Sequence, residues 1–197
     1  PIDQFDKLRQ PLTVGERIVF DLFDSHLSID WEIYVQPHLN GLRPDFVLLH
    51  PRAGIAVFEV KDWNLDAMHY EVMKREGKAP FLIGEKDGKK FSLQSQNPIE
   101  KIRQYKEELH ELYCPRLDGK ASFSSITAGV IFPFADDLAV NDLFKSSLNY
   151  RGMDKYPAYN PVSGRNAIQS GCLDSVFPEG KRTYSKFMTE DLAQDLR

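Results

Sequence analysis

Three side chains in one stretch of the sequence have the types and spacing to act on a phosphate ester. Asp45 follows Pro44, and Glu59 and Lys61 stand fourteen and sixteen residues further on, in "FEVK". Each is set among apolar residues such as Phe46, Val47, Leu48, Val57, Phe58 and Val60. A charge buried there without a partner costs several kcal/mol, so something must compensate it. On a strand, Glu59 and Lys61 share one face while Phe58 and Val60 take the other. If the strands on either side of Pro51-Arg52-Ala53-Gly54 pair, Asp45 comes beside Glu59 at one end of the sheet. Two carboxylates and a main-chain carbonyl, such as that of Val60, are hard oxygen donors suited to Mg²⁺ or Mn²⁺. The Lys61 ammonium would then hold an attacking water or the charge that builds on phosphorus oxygens.

The elements that must position these groups follow from local signals. Thr13-Val14-Gly15-Glu16 reads as a capping box, and Ile18, Val19, Leu22 and Phe23 continue at helical spacing. The first helix is expected from about Leu12 to His26. Residues 31–36, 44–50 and 55–61 read as an antiparallel three-stranded meander, with turns at Asn40-Gly41 and Pro51–Gly54. Further strands are expected at 69–73, 80–83 and 89–93. Asn97-Pro98 opens a second helix marked by Ile99, Ile102, Leu109 and Leu112, stopped by Cys114-Pro115. "SITAGVIFPF" reads as a buried strand and "DLAVNDLFKSSL" as a short helix. Residues 150–180 read as loops, and the stretch 188–197 as a closing helix.

Composition narrows the function. With 197 residues, 42% of them hydrophobic, the chain is long enough for one sizeable core, and a single domain is expected over 1–197. A net charge of −4 excludes a strongly basic nucleic-acid binder, so a polyanion would have to meet a local patch. Two cysteines without paired spacing indicate neither a disulfide framework nor a zinc site, and a cytoplasmic location is expected. No apolar run is long enough to span a membrane. The missing initiator Met and the helix-like ending suggest the N-terminal part of a longer protein.

With these motifs in place, the chain resembles the PD-(D/E)XK nuclease superfamily, and within it the nuclease-related domain, NERD, often found ahead of a superfamily 1 helicase. "LTVGERIVFDLF", "RPDFVLLHPRAGIAVFEVKDW", "QNPIEKIRQYKEEL" and "GVIFPF" follow one another in the family's order. The resemblance covers about residues 12–134 and implies an α/β, restriction-endonuclease-like αβββαβ core, with a central mixed sheet flanked by helices. It implies a metal-dependent nuclease acting on DNA, with Asp45 and Glu59 as Mg²⁺ (or Mn²⁺) ligands and Lys61 as the catalytic lysine. Glu16 is implied as an additional acid from the first helix. A catalytically weak nucleic-acid-binding module serving a helicase in the same chain is the alternative.

The second helix departs from the family pattern: a Gln is expected soon after Asn-Pro, and Glu100 and Lys101 stand there instead. Gln104 and Tyr105, a turn later, are the substitutes in reach. Lys86, Lys89 and Lys90 around Asp87-Gly88, and Lys101, Arg103 and Lys106 on the second helix, are candidate phosphate contacts. A solvated hairpin tip explains the first set better, and the interleaved Glu100, Glu107 and Glu108 mark the second as an ordinary exposed face. Trp63 and Tyr70 could stack on bases, although core packing explains them better.

Overall fold

The computed structural model describes residues 10–113 and 126–197. The expected stop of the second helix at Cys114-Pro115 lies outside the described residues.

Helix α1 (Val14–His26) begins as its sequence dictates. The Thr13 side chain accepts from the Glu16 amide, and the Glu16 carboxylate accepts from the Thr13 amide, which closes the capping box. Strands β1 (Glu32–Val35), β2 (Phe46–His50) and β3 (Gly54–Val60) form the expected antiparallel meander. The register pairs Phe46 with Phe58 and Leu49 with Ile55, so alternate residues of both strands face opposite layers.

Strand β7 (Ile126–Ile131) lies parallel to β3, and the two-residue β8 (Val162–Ser163) lies parallel to β7. The five-stranded order is β1-β2-β3-β7-β8. This is an α/β fold with a mixed central sheet, and α1, the meander, α2 (Pro98–Glu108) and β7 run in αβββαβ order. Between β3 and α2 the chain adds a separate antiparallel sheet of β4 (His69–Arg75), β5 (Lys78–Lys86) and β6 (Lys89–Ser92). The register of β4 on β5 shifts between Met73 and Arg75, opposite Pro80, whose missing amide suits a bulge.

Apolar layers cover both faces of the main sheet. On one, Val47, Leu49, Ile55, Val57 and Val130 pack with Ile99, Ile102 and Tyr105 of α2 and Phe144 of α3 (Asp137–Arg151). On the other, Phe46, Leu48, Phe58 and Val60 pack with Val19 and Phe23 of α1 and with Val176 and Phe177.

One expectation is corrected. Residues 150–180 are not simply loops: they hold the last turn of α3, strand β8, and the short helices α4 (Arg165–Gln169) and α5 (Leu173–Val176). None of these is long enough to show a period, and a two-residue strand owes its place to pairing with β7. As expected from Leu109 and Leu112, helical structure continues past Glu108, in a wider π-helical form over Leu109–Tyr113. The closing helix α6 (Glu190–Leu196) is capped by Thr189. Among the described residues no helix is long and apolar enough to cross a membrane.

Candidate active site

The pairing of Phe46 with Phe58 sets Asp45 and Glu59 opposite each other at the end of β2 and β3, as the turn spacing predicts. Asp45 is fixed by its own carboxylate, whose Oδ2 accepts from the Val60 amide at 2.6 Å. In a strand the amide and carbonyl of one residue point to the same side, so the Val60 carbonyl also faces the Asp45 side. Lys61 extends β3 by one more ladder bond, its amide donating to the Ile131 carbonyl at 2.9 Å.

Glu59 is nearly sealed, with 4% of its side chain exposed, and its oxygens are engaged by three donors. Lys61 Nζ and Lys101 Nζ lie 2.6 and 2.9 Å from Oε1, and the Tyr105 hydroxyl donates to Oε2 at 2.7 Å. Lys101 and Tyr105, four residues apart, share a face of α2, and Asn97 sets where that helix starts by capping the Ile99 amide.

Glu16 is buried at the start of α1. Besides capping its helix, its Oε2 accepts from Gln36 Nε2 at 3.3 Å. Gly15 lets the segment after Lys61 approach that helix start: the Gly15 amide donates to Asp62 Oδ2 at 3.4 Å. A Cβ on Gly15 would sit 1.9 Å from Asp62 Oδ1, so the neighbouring glycine is what admits this acid to the positive end of α1.

Burial pushes both central carboxylates upward, and their neighbours then drive them in opposite directions. Burial, then the charges of Glu59 and Glu16, push Asp45 up to about 8, against the lowering effect of the Val60 amide. Burial also pushes Glu59 upward, but the Lys61 ammonium, Lys101 and the Tyr105 hydroxyl outweigh it and hold Glu59 below the usual carboxylate range. Burial and the adjacent Glu59 raise Tyr105, which keeps it a hydroxyl donor. The edge therefore holds one ionised acid with two ammonium partners beside one acid that its neighbours discourage from ionising.

Among the described residues, no group of three or more His, Cys, Asp or Glu side chains is arranged to hold a metal ion. The set to be tested is thus two carboxylates and a carbonyl. That set suits Mg²⁺ or Mn²⁺, which bind through one or two carboxylates and keep waters and substrate phosphates as further ligands. The raised Asp45 is the feature in favour, because a divalent cation beside it would relieve the repulsion from Glu59 and Glu16.

Other candidates fall elsewhere. Gln104 is exposed, whereas Tyr105 reaches Glu59. Lys86, Lys89 and Lys90 are exposed on the separate three-stranded sheet, with Lys90 paired to Glu71 at 3.2 Å. Arg103 is paired with Glu107, and Lys106 is buried with its pKa lowered by burial to about 8. Trp63 and Tyr70 stack on each other at 4.7 Å, and Trp63 also meets Phe132 and Phe144.

Sequence reasoning missed that Lys101 pairs with Glu59, although its spacing from Tyr105 was the available signal. It also missed Gln36 and Arg43, for which the sequence offered none. Arg43 donates to Gln36 Oε1 at 2.7 Å, joining it to the Glu16 end of the site.

In comparison with models of protein families, residues 12–133, well over half of the chain, match the nuclease-related domain, NERD. No curated protein and no solved structure matches the chain.

Proposed function

From the premise that the chain belongs to the nuclease-related domain family, we propose that it hydrolyses phosphodiester bonds of nucleic acid, DNA in the first instance, at the edge formed by Asp45, Glu59 and Lys61. The observation that carries this reading is Asp45. It is pushed up to about 8 by burial and by the Glu59 and Glu16 charges, and no Lys, Arg or His among the described residues forms an ion pair with it. A network built only to neutralise buried charge would not crowd a third acid against Glu59.

Asp45, Glu59 and the Val60 carbonyl would hold Mg²⁺ or Mn²⁺, which when bound polarises a phosphate oxygen and acidifies a water. The chain's own groups do the rest. Lys61 lies 2.6 Å from Glu59 Oε1 with part of its side chain exposed, and its positive charge would stabilise charge developing on phosphorus oxygens. Lys101 and Tyr105 keep Glu59 ionised and fix its rotamer. Glu16 stands behind Asp45 with its orientation set by Thr13 and Gln36.

A second reading has its own observation. Both oxygens of Glu59 already have close donors, which favours a module that binds nucleic acid and cleaves slowly or not at all, as a partner of an attached helicase in a cytoplasmic protein. Incubation of the chain with single-stranded DNA, duplex DNA and RNA in Mg²⁺, Mn²⁺ or EDTA separates the two. Cleavage that needs metal and disappears in both Asp45→Asn and Lys61→Ala is expected. Binding without cleavage under every metal condition would overturn the enzyme reading in favour of the module.

A further inference from the structure

Arg43 occupies an unusual position for a cation in this site. Glu16, Asp45 and Glu59 are all close in the fold, yet among the described residues Arg43 forms no ion pair with any carboxylate. Its Nη2 donates to Gln36 Oε1 at 2.7 Å and its Nη1 to Gln10 Oε1 at 3.2 Å. Both acceptors are neutral amide oxygens, which orient a guanidinium without cancelling its charge. Gln36 in turn donates to Glu16 Oε2, so one amide stands between the acid and the cation.

This arrangement is held at a conformational cost. Gln36 has φ 49°, in the left-handed region that a non-glycine residue rarely adopts, directly before Pro37. Backbone strain of this kind persists only where the surroundings impose it, and it concentrates at working sites. Here the Gln36 amide donates to the Asp45 carbonyl at 2.8 Å, which ties the strained residue to the acid at the centre of the edge. Arg43 is pinned on its other side by the buried Pro44. The Tyr105 hydroxyl lies 3.3 Å from the Arg43 carbonyl while donating to Glu59. Half-buried, Arg43 keeps further N–H donors beyond the two engaged.

We propose that Arg43 contacts a phosphate of the nucleic-acid backbone beside the bond cut at Asp45 and Glu59, and that Gln36 is its positioning residue. The inference rests on the nuclease-family reading of this edge and names how that edge grips its substrate. A planar fork of donors suits the paired oxygens of a phosphodiester, and an overall acidic chain needs such a local cation to meet a polyanion.

The test is fluorescence anisotropy of the whole chain in EDTA, across a salt series, with labelled single-stranded DNA, its RNA counterpart and duplex DNA. Arg43→Gln is expected to weaken binding by about 3- to 10-fold and to flatten the log–log salt slope by about 0.7 on single strands and about 0.9 on duplex. Arg43→Lys restores the slope and part of the affinity. Gln36→Glu, which sets a carboxylate on the guanidinium, flattens the slope as Arg43→Gln does; a merely structural role for Gln36 would lower thermal stability and leave the slope alone. Arg52→Gln, in the turn at the other end of β2 and β3, behaves as the wild type.

Wild-type affinity and slope in Arg43→Gln, an equal loss in Arg52→Gln, or a wild-type chain that binds none of the probes would each overturn the assignment. Metal-dependent cleavage combined with unchanged binding by Arg43→Gln removes Arg43 and leaves the nuclease reading standing. Loss of binding in Arg43→Gln with no cleavage by the wild type does the reverse.

Discussion

The end of β2 and β3 and the tip of the β5–β6 hairpin carry the same kinds of residue in opposite surroundings. At the hairpin, Lys86, Lys89 and Lys90 project into solvent, and the pair of Lys90 with Glu71 leaves about half of each side chain exposed. At the sheet edge, Glu59 keeps 4% of its side chain exposed and meets two ammonium groups and a hydroxyl, while Asp45 faces two other acids. Water at the tip screens each charge, so deleting one changes little. Burial at the edge makes each charge depend on its neighbours, and this is where a bound cation or a substrate phosphate can alter the balance.

That contrast is broken or sharpened by substitution, beginning with Glu59. Glu59→Ala leaves Lys61 and Lys101 without their shared acceptor, and with Lys101 about a third exposed the expected loss is about 3 kcal/mol in urea unfolding. Asp45→Asn should act in the other direction in EDTA. The folded protein holds this acid protonated up to about pH 8, whereas the unfolded chain releases its proton near 3.8. The unfolded state is therefore favoured progressively as pH rises through that window. Asp45→Asn is expected to gain about 2 kcal/mol at pH 8 and almost nothing at pH 3. Unfolding curves of both proteins across pH check this, and an Asp45→Asn variant no more stable at pH 8 than at pH 3, relative to wild type, would contradict it. Tyr105→Phe removes one donor from a buried carboxylate and should cost about 1–2 kcal/mol. Lys90→Ala, at the hairpin, should shift stability by less than about 0.5 kcal/mol. A loss there matching that at Glu59 would erase the distinction between the two regions.

The same contrast explains what could be read in advance. Local signals were legible: Thr13 and Glu16 close their capping box, and Asn97-Pro98 opens α2. The turn Pro51–Gly54 fixes the register that brings Asp45 to Glu59. The long-range parts were not legible. Strand β8 is two residues long and exists through its pairing with β7. The pairing of Lys101 with Glu59 depends on how α2 lies across the sheet, which neither segment specifies alone. Gln36 gives no composition cue for its left-handed backbone, since a glycine or asparagine would be the ordinary choice at that φ.

Titration of the whole chain with Mn²⁺, followed by electron paramagnetic resonance, tests the central claim that Asp45 and Glu59 share one divalent ion. The account predicts saturable binding of one ion by the wild type, lost in Asp45→Asn and in Glu59→Gln and unchanged in Lys90→Ala. Undiminished binding of that ion by Asp45→Asn would contradict it.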